Sequence, residues 1–290
     1  MVKIEFSIVL AYEILEQPAD FIFNVHALAS PRQMLKQESF QADPAQAVSM
    51  FSDPLTGNRY ARLRAGPGPL RLRYDAIVDI DHHITSPDSL REVLITELPA
   101  EVLIYIYPSR YCQSDRLRQT ARSEFGHLPL GYWRVRAIQD WVHRRTSFLS
   151  GSSNSETSAI DTLINRAGVC RDFAHLMIAL CRALNIPARF VTGIDYGSDP
   201  SFGPTDFHAY VEVFLSRRWY LFDVSGMAQP MGLIRLGTGR DAADVSFATI
   251  FGSVRSIPPC IAVAAHEDIE HGIWPPGVCT DAISTADREM

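Results

Sequence analysis

The sequence predicts an α+β protein, with an N-terminal antiparallel β-sandwich over residues 1–110 and a mixed helix-and-strand part over residues 111–290. Three observations carry that expectation. The first hundred or so residues run in short alternating segments rich in Val, Ile, Tyr and Phe, cut by Pro, Gly, Asn and Asp. Helical periodicity begins only near Gly131. Strand-like segments return after Asn185-Ile186-Pro187, where proline removes a backbone donor and disfavours helix in the residue before it. A chain of 290 residues can bury one large core or two modest ones.

Residues 4–15, 21–28, 60–63, 70–80 and 102–107 read as strands, and together they suggest the sandwich. Gln17-Pro18-Ala19-Asp20, Thr56-Gly57-Asn58 and Gly66-Pro67-Gly68-Pro69 punctuate them, the last resembling a hairpin tip. Arg62, Arg64, Arg71 and Arg73 alternate as one face of such a hairpin would. Residues 111–122 read as a connector. Trp133, Val135, Ala137, Ile138, Trp141 and Val142 then suit a helix packed on one side. Residues 149–156 form a polar loop. Thr157 or Ser158 can cap a short helix carrying Ile160, Leu163 and Ile164, which delivers the chain to Gly168, where the backbone can turn sharply. From Pro275 onward an ordered edge followed by a loose tail is expected.

The chemistry concentrates after Gly168. Apolar residues at Phe173, Leu176, Met177, Leu180, Cys181 and Leu184 mark one buried helix face, and Asn185-Ile186-Pro187 ends it. Cys170 therefore lies in the first turn, where free amides and the helix dipole favour a thiolate. Residues 208–215 and 219–223 flank the short polar Ser216-Arg217-Arg218, which reads as an antiparallel hairpin. A turn centred between Ser216 and Arg217 sets Asp223 opposite Tyr210, diagonal to His208 and on its face; a one-residue shift sets Asp223 directly opposite His208. In both registers the carboxylate can reach the imidazole. Cys170, His208 and Asp223 are thus the candidate nucleophile, proton carrier and orienter, with Asp206 a competing orienter outside the β run.

These residues resemble the transglutaminase-like superfamily of cysteine acyl-transfer enzymes, and within it the bacterial branch of cysteine proteases. The likeness rests on Gly168-Val169-Cys170-Arg171-Asp172, Asn185-Ile186-Pro187-Ala188-Arg189, Phe207-His208-Ala209-Tyr210-Val211-Glu212 and Trp219-Tyr220-Leu221-Phe222-Asp223. Pro108-Ser109-Arg110-Tyr111-Cys112 and Gly237-Thr238-Gly239-Arg240-Asp241 extend it over nearly the whole chain. The resemblance implies a papain-like, transglutaminase-like catalytic domain and a Cys170-His208-Asp223 triad acting on peptide, amide or isopeptide bonds of a peptide or protein substrate, without metal or organic cofactor. Many relatives have proline where this chain has Val224, so a looser turn is expected there.

Composition narrows the alternatives. A net charge of −6 offers no basic field for nucleic acid, and no apolar run approaches the roughly 20 residues that span a bilayer. The N-terminus lacks the pattern of a signal peptide, and five scattered cysteines suit a reducing compartment, so the cytoplasm is expected. A zinc hydrolase using Cys170, His208 and Asp223 would want closely spaced ligand pairs, which are missing. Other readings are a cross-linking transamidase and a noncatalytic binding module on the same fold. Asp79, Asp81, His82 and His83 read as an exposed strand end rather than a metal site. His175 lies about 140° around the helix from Cys170 and reads as structural, as does Cys181 on the apolar stripe. The backbone amide of Cys170 is one oxyanion donor; Trp133, Trp141, Gln113 and Asn165 are candidates for the second. Gly237 to Asp241 lacks the lysine of a phosphate loop and reads as an ordinary turn or a substrate-side loop, with Arg240 and Asp241 lining the cleft.

Overall fold

The computed structural model describes residues 1–197 and 204–286. Two antiparallel sheets form the N-terminal sandwich. One contains β1 (Val2–Ile14), β3 (Gln33–Asp43), β6 (Gly68–Ile80) and β15 (Val254–His266), in the order β15-β1-β6-β3. The other contains β2 (Ala19–Phe23), β4 (Ser49–Ser52), β5 (Arg59–Ala65) and β14 (Ala248–Phe251), in the order β14-β2-β5-β4. Strict alternation buries every second residue of β1, from Val2 and Ile4 to Tyr12 and Ile14. These side chains meet Phe21 and Phe23 of β2 and Leu63 of β5 in one core. Each fully buried Ile or Phe contributes about 1.5–3 kcal/mol.

Several expectations change here. Gly66 to Pro69 does not join a hairpin, because β5 and β6 belong to different sheets; it carries the chain across the sandwich. Residues 102–107 are not a strand: Ala100–Ile106 is a 3₁₀ helix burying Val102 and Tyr105, a spacing of three rather than two. Residues 248–266, assigned by the division at 110/111 to the C-terminal part, pair with β2 and β1 instead. Asp79 is buried beside Lys3 and Lys36, Asp81 pairs with Arg32, and His83 bonds Thr85. No group of three or more His, Cys, Asp or Glu among the described residues is placed to hold a metal.

A third antiparallel sheet contains β10 (Ala188–Asp195), β11 (Phe207–Leu215), β12 (Arg218–Phe222) and β13 (Leu233–Gly239), in the order β12-β11-β10-β13. Its Phe190, Val211, Val213 and Phe222 pack with helices α1 (Arg118–Phe125), α2 (Tyr132–Arg145) and α4 (Cys170–Ala183). Helix α1 occupies part of the stretch read as a connector. Ile194, Ile234 and Leu236 join the sandwich core, so the third sheet is packed directly against the first two. The short α3 (Ala159–Asn165) begins at Ser158, whose amide and hydroxyl both donate to Asp161. Parallel pairing of β8 (Ser147–Phe148) with β9 (Ala167–Gly168) ties the polar loop to the start of α4, and β16 (Ala282–Ser284) pairs with β7 (His83–Thr85). The C-terminal residues 287–290, where the loose tail is expected, lie outside the described residues.

Buried histidines are expected to make this fold acid-sensitive. His26 is 1 % exposed between Tyr74 and Phe40, with ring centroids at 4.6 and 5.0 Å, and burial and nearby Arg59 push it down to about 4. Burial also lowers His82, to about 4, and His175, whose Nε2 accepts from the amide of Ala242. A histidine depressed on folding takes up its proton more readily when unfolded. Stability is therefore expected to fall as pH drops from 6.5 toward 4, by about 3 kcal/mol for His26 alone. Melting curves across that range test this. His26→Phe is expected to flatten the dependence by one proton, and an unchanged slope would count against the assignment.

Candidate active site

Helix α4 is fixed at both ends. The Asp172 carboxylate accepts from the amide of Val169 at 2.8 Å, capping the first turn. Asn185 adopts φ 61° and the Ile186 amide returns to the Cys181 carbonyl at 3.0 Å, closing the helix before Pro187. Gly168 is required by space rather than by a sharp turn, since a Cβ there would lie 2.7 Å from Cβ of Asp172. Partly buried Cys170 opens the helix, its Sγ 4.0 Å from the carbonyl oxygen of Phe207, the residue before His208.

The hairpin takes the first of the two registers. Val211 pairs with Phe222 and Leu215 with Arg218, around a two-residue turn in which Ser216 and Arg217 have φ 46° and 62°. That register sets Asp223 diagonal to His208, and His208 Nε2 lies 3.0 Å from Asp223 Oδ1. The Ser225 hydroxyl and the Ala228 amide also donate to Asp223, at 2.8 and 2.9 Å. These bonds pin the turn after β12, and Val224 is 1 % exposed, so the absence of proline leaves no looseness there. Asp206, the competing orienter, accepts instead from the amide of Phe207. Sequence reading passes over Asp195. It lies at the end of β10, and its Oδ2 is 3.5 Å from His208 Nδ1. Counting parity across β10 and β11, which pair Gly193 with His208, would have found it.

Electrostatics bear differently on the three groups. Burial opposes both charges of the His208–Asp223 pair, but their mutual attraction and hydrogen bond prevail, raising the imidazole and lowering the carboxyl. Asp195 adds to the rise at His208. Cys170 goes the other way from the sequence expectation. Burial pushes its thiol up to about 12, opposed by the amides of Ala209 and Arg171 and reinforced by Asp223 and Asp206. A helix start contributes about 0.3–1 kcal/mol, whereas a rise of that size corresponds to about 4 kcal/mol, so desolvation wins in the protein alone.

Cys170, His208 and Asp195 line a cavity of about 650 Å³, walled by Phe148, Phe190, Phe207, Met227, Val245 and Phe247. Phe207 and Phe247 stack at 4.3 Å, and Ser150, Gly151 and Ser153 of the polar loop complete one side. The proposed second oxyanion donors lie elsewhere. Indole nitrogens of Trp133 and Trp141 donate to Asp88 and Glu124, Gln113 lines a separate cleft, and Asn165 is not among the cavity's residues. Arg240 and Asp241 also lie off the cavity: Arg240 pairs with Asp244, and Asp241 accepts from the amide of Tyr111. Gly237 to Gly239 is strand β13, not a turn. Tyr210, Trp219 and Tyr220 are buried packing residues, as are His175 and Cys181.

Known proteins match this fold along nearly all of the chain. Residues 119–224 match the transglutaminase-like superfamily, and residues 2–101 match the bacterial transglutaminase N-terminal domain. The crystal structure of a "putative cysteine protease" from Cytophaga hutchinsonii superposes with a TM-score of 0.90 at 37% identity, covering 98% of this chain and 97% of that one. The chain belongs to the transglutaminase-like superfamily. Its fold is that of thiol-dependent acyl transfer. Uncharacterized protein ML0607 of Mycobacterium leprae is 29% identical over 116 residues, 39% of this chain and 42% of that protein. Uncharacterized protein Rv2569c of Mycobacterium tuberculosis is 30% identical over 122 residues, 38% of this chain and 39% of that protein. The matches thus span about two-fifths of these curated relatives. No helix among the described residues is long and apolar enough to cross a membrane.

Proposed function

We propose that this member of the superfamily is a cysteine hydrolase of peptide, amide or isopeptide bonds, with Cys170 as nucleophile, His208 as proton carrier and Asp223 as orienter. The observation that carries the reading is a helix-start sulfur and a carboxylate-bound imidazole lining one cavity. With Nε2 of His208 engaged by Asp223, Nδ1 is the nitrogen left for proton transfer. As the Cys170 sulfur bonds to the carbonyl carbon its thiol proton passes to His208 Nδ1, and the carbonyl π pair moves to oxygen. Collapse breaks the carbon–nitrogen bond, and the leaving amine takes the Nδ1 proton. Water then bonds to the thioester carbon, its proton returns to His208 and the thiolate leaves. No step calls on a metal or organic cofactor. Five free cysteines suit a reducing compartment, the cytoplasm by default.

Hydrolysis is favoured over cross-linking because amine transfer requires water to be kept from the thioester. Serine and glycine residues of the polar loop border the cavity, and Tyr210, Trp219 and Tyr220 are committed to packing rather than to an amine channel. Given an amide substrate and a competing primary amine, the enzyme is expected to release mainly free acid. Transamidated product in excess at modest amine concentration would make the protein a transamidase with the same triad.

A further inference from the structure

His208 faces carboxylates at both ring nitrogens. Asp223 Oδ1 lies 3.0 Å from Nε2, and Asp195 Oδ2 lies 3.5 Å from Nδ1. The strand pairing explains the symmetry. His208 is on the middle strand β11; Asp195 reaches it diagonally from β10, two residues past the directly opposite Gly193, and Asp223 from just after β12, two residues short of the directly opposite position. Gly193, opposite His208, has no room for a side chain: a Cβ there would lie 2.4 Å from the Ile234 carbonyl oxygen and 3.0 Å from the Tyr210 ring. Asp195 and Asp223 are both 5 % exposed, so water screens little of their charge.

We propose that Asp195 is a positioning residue, a carboxylate that acts with Asp223 to hold His208 as an imidazolium ready to protonate the leaving amine. The inference rests on the acyl-transfer reading above. A neutral imidazole has one N–H and can donate at one nitrogen only; flanked by carboxylates on both sides, the doubly protonated cation is the form that satisfies both. Asp223 alone, anchored by Ser225 and Ala228, suffices to orient the ring. A second buried carboxylate is costly and adds charge stabilisation at the nitrogen that exchanges protons. Asp195 lies 3.5 Å from Nδ1, so its charge favours passage of the thiol proton to the ring, against the desolvation that holds the Cys170 thiol up. Asp195 from β10 and Asp223 after β12 face the ring nitrogens, while Cys170 from α4 and Asp206 before β11 line the same cavity as His208.

The test is nitrogen-detected NMR of the His208 ring across pH, beside the pH profile of Cys170 alkylation. In the unsubstituted protein both ring nitrogens are expected to carry protons at neutral pH. Asp195→Asn is expected to move the His208 midpoint down by about one unit and to lower the plateau alkylation rate about tenfold, with Asp195→Glu restoring part of both. A purely structural role would change melting temperature without moving the midpoint, and superimposable titrations would overturn the proposal. Should Asp195→Asn fail to fold, the unsubstituted protein still decides: a neutral, single-tautomer His208 at neutral pH overturns it. The NMR readout needs no turnover, so a charged His208 in a protein inactive on amides would defeat the hydrolase reading and leave this one standing.

Discussion

Cys170→Ala is expected to remove turnover altogether, a loss of about 10⁴-fold or more, with the melting temperature held within a degree or two. The loss is large because no other described thiol shares the cavity: Cys112 and Cys181 are buried elsewhere, and Cys260 and Cys279 are not among its lining residues. The fold is spared because alanine is a good helix former and Cys170 is only partly buried at the first turn. Release of an amine from a peptide and isopeptide library, with circular dichroism on the same samples, measures both. Activity retained in Cys170→Ala would end the thiol mechanism. A parent protein inactive on every amide that still binds a peptide partner, as Cys170→Ala then would, is the signature of a binding module. Generic alkylation alone discriminates poorly, because Cys260 is exposed and the Cys170 thiol is raised.

Asp223→Asn is expected to lower kcat by about 10³–10⁴-fold while the protein stays folded. The asparagine amide can donate to Nε2, which forces the proton onto Nδ1 and leaves that nitrogen unable to act as a base. Asp206→Asn is the control and is expected to stay near the parental rate, since Asp206 bonds the Phe207 amide and not the imidazole. The reverse pattern would exchange the two roles. Stability supplies a second signature. His208 is raised on folding, so its contribution is complete below 6.5 and is lost as pH rises through its folded value. Asp223 is depressed, so its contribution is complete above 3.8 and is lost as pH falls through its folded value. The pair therefore stabilises most between these limits, and Asp223→Asn is expected to reduce that advantage in a plot of melting temperature against pH.

The candidate site was legible in the sequence where periodicity and parity operate. The three- and four-residue steps after Cys170 mark α4, the Asn-Ile-Pro run marks its end, and the short polar turn restricts the hairpin to registers that bring Asp223 to His208. What escaped follows from the same rules. Strand β3 is an edge strand with mostly polar, exposed side chains, so it lacks the alternation that reveals β1. Ala100–Ile106 is apolar and β-branched enough to pass for a strand, and only its spacing of buried residues gives it away. Asp195 closes an otherwise apolar strand, and its meaning depends on which strand lies beside it. Trp133 and Trp141 looked suited to oxyanion donation, but the acids that take their indole protons, Asp88 and Glu124, lie 45 and 17 residues away along the chain. The rise in the Cys170 thiol depends on how tightly the sulfur is enclosed, a property of the assembled cavity.

The return of β14 and β15 to the sandwich imposes an order on biosynthesis. Both are edge strands, on β2 and β1 respectively, and both come from residues 248–266. As the ribosome extends the chain, β1 and β2 emerge first, yet each must wait with one edge unpaired while the entire third sheet and its helices are made. The sandwich closes only after residue 266 has appeared, so this domain carries some of the longest-range contacts in the molecule and belongs late in folding. A nascent chain stalled after residue 224 would have its thiol, imidazole and carboxylate synthesised but would present two bare β edges, the kind of surface that holdase chaperones cover and that aggregates recruit. Maturation of the cleft and completion of the sandwich are thereby coupled through residues 245–266.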